Sequence, residues 1–238
     1  LLTRRQSTKI TTWTAPSGPN SINNESDALA SAKICIEALS PVLAANTYNA
    51  FIVACFSHHP LVGMLRTHPS FPRAGVAVGI FESAISSALT LLPFPHELTK
   101  SSSGGETEGK FGIVTTGAPW IPVLTASTNQ YLGLPATEEK SESSKFSGVE
   151  STGLNADELH TAPPEEVHRR MVDATRRLVR GGHTKVIILG CAGMAGMDDM
   201  VKEGCEAELG REGAKGVRIV DGVKAALAVV DGFVRSQS

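Results

Sequence analysis

At 238 residues, with 41% apolar and 19% charged side chains, the chain can build a large core as one domain or two of ordinary size. Its 22 Lys and Arg against 24 Asp and Glu give a formal net charge of -2, so no basic field is available to hold a nucleic-acid backbone or an anionic membrane. No apolar run reaches transmembrane length. The four cysteines, at 35, 55, 191 and 205, show no CxxC spacing and fall short of disulfide-scaffold density, so reduced thiols and a cytoplasmic protein are expected.

The opening, "LLTRRQSTKITTW", is basic and hydroxyl-rich but too short and weakly patterned for a transit peptide. It has no initiator Met and is expected to continue a longer product. Lys9 to Ala15 reads as a β-branched strand, followed by the turn-rich loop "PSGPNSINNES". Helical spacing runs from Glu25 to Leu43 through Leu29, Ala32, Ile36 and Leu39. A short apolar strand, Ala50 to Cys55, leads to a helical turn at Pro60 to Leu65. Another apolar strand, Ala74 to Ile80, precedes a helix from Glu82 to Leu92.

Residues 98–110, "LTKSSSGGETEGK", form a polar tract read as an insert or linker. The alternation then resumes with a strand at Lys110 to Thr115 and a short helix at Pro122 to Leu132. A second polar stretch covers 137–146, and "FSGVESTGL" (146–154) supplies a strand and its exit loop. The clearest helix is 163–182, with prolines and acids at its start, Arg176, Arg177 and Arg180 near its end, and Gly181-Gly182 to stop it. "KVIILGC" (185–191) is the strongest buried strand. A helix beginning at "GMDDMVKEGCEAEL", a strand at 216–222 and a helix at Val223 to Val234 complete the chain. Two runs of parallel α/β units point to two similar halves, each sheet covered on both faces.

Cys55 ends a strand of the first half and Cys191 a strand of the second. In open α/β sheets, ligands sit beyond the carboxyl ends of the strands. Small neighbours allow close backbone approach, and the following helix N-termini offer N–H groups and positive dipole ends that can lower a thiol pKa from its free value of about 8.5. A lone strand-end cysteine is more often core, but matched placement in two halves favours reactive thiols. Two thiols flanking one cleft suit two-base proton transfer: one thiolate removes a proton from an acidic carbon, and the opposite thiol returns one to the other face. Cys35 and Cys205, inside predicted helices, read as packing thiols.

The segments "WTAPSGPNSIN" (13–23), "FIVACFSHHPLV" (51–62), "VAVGIFESA" (76–84), "FGIVTTG" (111–117), "VIILGCAGM" (186–194) and "RIVDGVKAA" (218–226) carry a resemblance that spans nearly the whole chain. The sequence resembles the Asp/Glu/hydantoin racemase superfamily, in particular the hydantoin/allantoin racemase branch with its fungal DCG1-like members. The resemblance implies two pseudo-symmetric parallel-sheet α/β halves with the active site in the cleft between them. Residues 1–82 would form the first half, with helix 223–238 packing back on it, and 83–222 the second. It also implies that a first strand and its Asn-Pro-Asn type loop, missing here, belong inside the first sheet. Catalysis would use Cys55 and Cys191, with no cofactor and no metal, to invert C5 of hydantoins such as allantoin. Family members are commonly homo-oligomers.

Supporting positions follow from the strand exits. Ser57 donates to the ligand or to Cys55, and one of His58 and His59 lines the pocket mouth. Thr115, Thr116 and Gly117 close another exit. Gly79, Phe81 and Glu82 lie at a third, with Glu82 either a ligand contact or a cap. The backbone N–H groups of Phe56, Ala192 and Gly193 are candidate carbonyl donors. Asp221 reads first as a structural cap, and Trp13 and Trp120 as packing aromatics. The residues after each cysteine are not the Asn/Thr pairs of the aspartate/glutamate branch. A dicarboxylate isomerase or decarboxylase and a degenerate metabolite-binding protein are the competing readings.

Overall fold

The computed structural model describes residues 8–92, 109–137 and 145–236. Most of both polar tracts lies outside these residues.

Helix α1 (Glu25–Ala44) opens where Asn24 caps it, its side chain accepting the Asp27 N–H at 2.9 Å, with Glu25 and Asp27 on the positive end of the helix. It buries Ala28, Ala32, Cys35, Leu39 and Leu43, a stripe at three- and four-residue spacing. Strands β1 (Ala50–Val53) and β2 (Val76–Gly79) pair in parallel, with Ala50 opposite Val76 and Val53 opposite Gly79. Helix α2 (Pro60–Thr67) joins them and α3 (Ile80–Leu91) follows β2. Pro60 starts α2 where its missing N–H is harmless.

The second sheet holds β3 (Lys110–Thr115), β4 (Phe146–Ser151), β5 (Thr184–Leu189) and β6 (Arg218–Asp221), all parallel in the order β4-β3-β5-β6. Its helices are α4 (Trp120–Tyr131), α5 (Glu158–Thr161), α6 (Pro164–Val179) and α7 (Asp198–Ala214), and α8 (Gly222–Ser236) leaves β6. Helix α6 stops at Gly181 and Gly182, whose φ of 86° and 74° suit glycine. The apolar runs in β3 and β5 arise because both strands are central and covered twice. On β5, Val186 and Ile188 face a core with Phe81, Ile85 and Ala226, while Ile187 and Leu189 face Met171, Leu178 and Val201. Helices α3 and α8 pack on one another, and both touch β2 and β6. A third cluster, including Leu39, Leu43, Leu61 and Leu65, lies under α1 and α2.

The strand expected at Lys9 to Ala15 is absent. Among the described residues β1 is hydrogen-bonded only to β2, so this β-branched segment has no ladder to complete. It lies exposed, Ile10 at 62%, with the Thr8 hydroxyl donating to Asp231 of α8. No helix among the described residues is long and apolar enough to cross a membrane.

Candidate active site

Each candidate thiol sits two residues beyond its strand: Cys55 after β1, which ends at Val53, and Cys191 after β5, which ends at Leu189. Parallel strands feed their exits to one end of the sheet, so Thr115, Ser151 and Asp221, which end β3, β4 and β6, share that end with Cys191. Gly190 permits the close approach of β5 to β3, since a Cβ there would lie 2.7 Å from the Val114 carbonyl oxygen.

Cys55 is half-buried, with its Sγ 3.5 Å from the Ser57 hydroxyl. Cys191 is also half-buried, and a 3-10 turn over Ala192–Met194 brings the Gly193 and Met194 N–H groups near its sulfur, where they favour the thiolate. Helix-end environments were expected to lower both pKa values, but both are raised. Burial is the largest cause for each, because a thiolate loses its water. The Ser57 hydrogen bond pulls Cys55 back down, and the charge of Cys191 pushes it up again. That last and smallest effect places Cys55 within the electrostatic reach of Cys191.

The remaining positions divide into distinct groups. Ser57 is buried beside Cys55. His58 is exposed, its Nδ1 2.9 Å from Glu82 Oε1. Glu82 Oε2 is buried without a hydrogen-bond partner among the described residues, and it would lie 2.3 Å from a Cβ on Gly79. His59 is buried and caps α2, accepting the Leu61 N–H at 3.3 Å, and burial lowers its pKa. Phe56 and Phe81 are core side chains, packed edge to face with centroids 5.5 Å apart. Thr115 donates to the Gly190 carbonyl at 3.3 Å, while the Thr116 carbonyl accepts from the side chains of Ser151 and Thr152. Gly117 leaves space beside Asn155, whose Oδ1 would lie 3.4 Å from a Cβ there. Asp221 caps α8, accepting the N–H groups of Val223 and Lys224 at 2.8 and 3.2 Å.

Cys35 and Cys205 are buried in α1 and α7, and burial pushes the Cys205 thiol up to about 11. Trp13 is exposed, whereas Trp120 packs against the core. Among the described residues no group of three or more His, Cys, Asp and Glu is gathered as a metal site.

Sequence reading passed over Ser151, Thr152 and His160. The first two are revealed only by the β3–β4 pairing that sets them beside Thr116. His160 lies on α5, one turn too short to show helical periodicity. Its Nε2 is 3.2 Å from the position of a Cβ on Gly193, and Cys191 Sγ is 3.6 Å from the same point.

The chain is 27% identical over 200 residues to protein DCG1 of Saccharomyces cerevisiae, an alignment covering 82% of this chain and 73% of that one. It is 29% identical over 220 residues to Schizosaccharomyces pombe protein C1F7.10, covering 92% and 76%. Its fold is similar to the crystal structure of allantoin racemase from Pseudomonas fluorescens, at TM-score 0.67 and 21% identity, covering 96% of this chain and 79% of the other. Allantoin racemase from Klebsiella pneumoniae gives TM-score 0.64 at 20% identity, covering 94% and 74%. Glutamate racemase RacE1 from Bacillus anthracis shares the architecture at TM-score 0.58 and 16% identity, covering 94% and 69%. The two similar parallel-sheet halves are thus those of the Asp/Glu racemase-like fold. With residues 2–230 matching the Asp/Glu/hydantoin racemase profile, the chain belongs to that family of racemases.

Proposed function

We propose that the chain is a cofactor-independent racemase that inverts C5 of hydantoin-like substrates, allantoin or 5-substituted hydantoins, using Cys55 and Cys191 as the two bases. The observation that carries this reading is the matched placement of two half-buried thiols, each two residues beyond a parallel strand of its own half, with Cys191 close enough to raise the Cys55 pKa. When one ionises, its charge disfavours ionisation of the other. A base and an acid then stand ready on residues of the same type.

In the proposed reaction the thiolate takes the C5 proton and the electron pair spreads onto the neighbouring carbonyl oxygen. The opposite thiol gives its proton to the other face of C5. The enzyme ends with thiol and thiolate exchanged, ready for the reverse inversion. Ser57 supports the Cys55 thiolate, and Gly193 and Met194 support that of Cys191. Thr115, Thr116 and Gly117 frame the ring, with backbone from Phe56 and Ala192, while His58 and Glu82 stand at the rim. A hydantoin suits this chemistry because its C5 proton is flanked by a carbonyl.

The test follows the optical rotation of enantiopure allantoin and 5-substituted hydantoins, with aspartate and glutamate run in parallel. Decay above the spontaneous rate for a hydantoin is expected. Decay confined to a dicarboxylate would overturn the substrate assignment.

A further inference from the structure

We propose that His160 is the base that takes the proton of Cys191 to form its thiolate and passes that proton on to solvent. This rests on the two-thiol reading above and adds the step that resets the site between turnovers. Each inversion leaves the substrate's proton on one sulfur and removes a proton from the other. A new molecule of the same enantiomer cannot react until that asymmetry is reversed. Both thiols are only half-buried, and a basic group at the edge of the site gives the proton a defined path to water.

His160 is that group. The α5 helix packs against the 3-10 turn that carries Gly193. The imidazole is exposed, yet its Nε2 and Cys191 Sγ both lie within 4 Å of the one point where a Gly193 side chain would begin. Because residue 193 is glycine, that point is empty, and imidazole and thiol face the same small gap. A water in that gap relays the Sγ–H proton to the Nε2 lone pair, leaving a thiolate and an imidazolium. The imidazolium gives a proton to bulk water from Nδ1. Among the described residues no comparable group stands beside Cys55: Ser57 has no comparable basicity, His59 is buried as a cap, and His58 is engaged by Glu82.

The test needs no turnover, so it stands apart from the racemase assignment. Iodoacetamide alkylation of Cys191 and Cys55 is timed separately, by mass spectrometry of their peptides, in wild type, His160→Ala and His160→Gln. Since His160 is exposed, both variants are expected to fold, and the Cys55 rate serves as the internal control. Alkylation of Cys191 is expected to slow about tenfold in both variants, with Cys55 within twofold of wild type. Added imidazole is expected to restore the Cys191 rate in His160→Ala, a rescue that a structural role would not give. A Cys191 rate that is unchanged or faster, a parallel change at both cysteines, or no rescue by imidazole overturns the proposal.

Discussion

Replacing Ser57 by alanine removes one hydroxyl from beside Cys55 and little else, because the side chain is small and its neighbour is the thiol. The hydroxyl stabilises the thiolate and opposes the effect of burial. Its loss therefore raises the Cys55 pKa further. A hydrogen bond to a charged group contributes about 1.5–3 kcal/mol, but at 3.5 Å this contact is long and sulfur accepts weakly. About 1 kcal/mol is the working value, equal to roughly a fivefold change in thiolate population below the titration. The assay is the alkylation rate of Cys55 against pH, read at its own peptide. Ser57→Ala is expected to be about fivefold slower at pH 8 and to converge with wild type at strongly alkaline pH. Cys191 should be unaffected. A Cys55 profile identical to wild type would refute the argument that the hydroxyl sets thiolate content.

Racemisation should rise with pH above neutrality, because burial raises both thiols and the first thiolate forms late; it should fall again once the second ionises, giving a bell in the kcat/KM profile. At Cys205 the folded chain holds the proton more tightly than the unfolded one, so stability present below the ordinary thiol range is lost as pH climbs through about 11; Tm measured from pH 8 upward checks this. Gly204→Ala should destabilise by about 1–3 kcal/mol despite better helix propensity, because the new methyl would meet the Thr175 Cβ at 2.7 Å and the Val172 carbonyl at 2.8 Å. Gly232→Ala, with nothing within 4 Å, should stabilise by up to about 1 kcal/mol, and Tm changes of the same sign in the two variants would contradict this contrast. Dialysis against a strong chelator should leave racemisation unchanged, and loss restored by a divalent metal would overturn the cofactor-independent mechanism.

Much of this architecture is legible in the sequence because it rests on local pattern. The apolar runs at Lys110 to Thr115 and at "KVIIL" are central parallel strands, and the acids and arginines of 163–182 mark the two ends of one helix. The same reading made Cys55 and Cys191 the last residues of their strands, and the structure ends each strand two residues earlier. What escaped depends on neighbours distant in sequence. Lys9 to Ala15 has strand composition, but composition cannot provide a pairing edge. The direction of the thiol pKa shifts turned on burial outweighing nearby N–H groups, a balance no motif reveals. The nearness of the Gly193 and Met194 N–H groups to Cys191 likewise follows from the tight turn after it. His160 shows its place only once α5 is packed on that turn.

The central claim is that two thiols work on opposite faces of one carbon. Its most direct test is deuterium entry at C5 in D2O, beginning from each allantoin enantiomer, with wild type, Cys55→Ser and Cys191→Ser. Wild type should racemise either enantiomer with deuterium in the inverted product. Each single variant should lose inversion yet wash deuterium into one enantiomer with retention, the two variants choosing opposite enantiomers. Full racemisation by Cys55→Ser, or the same enantiomer labelled by both variants, would contradict the account.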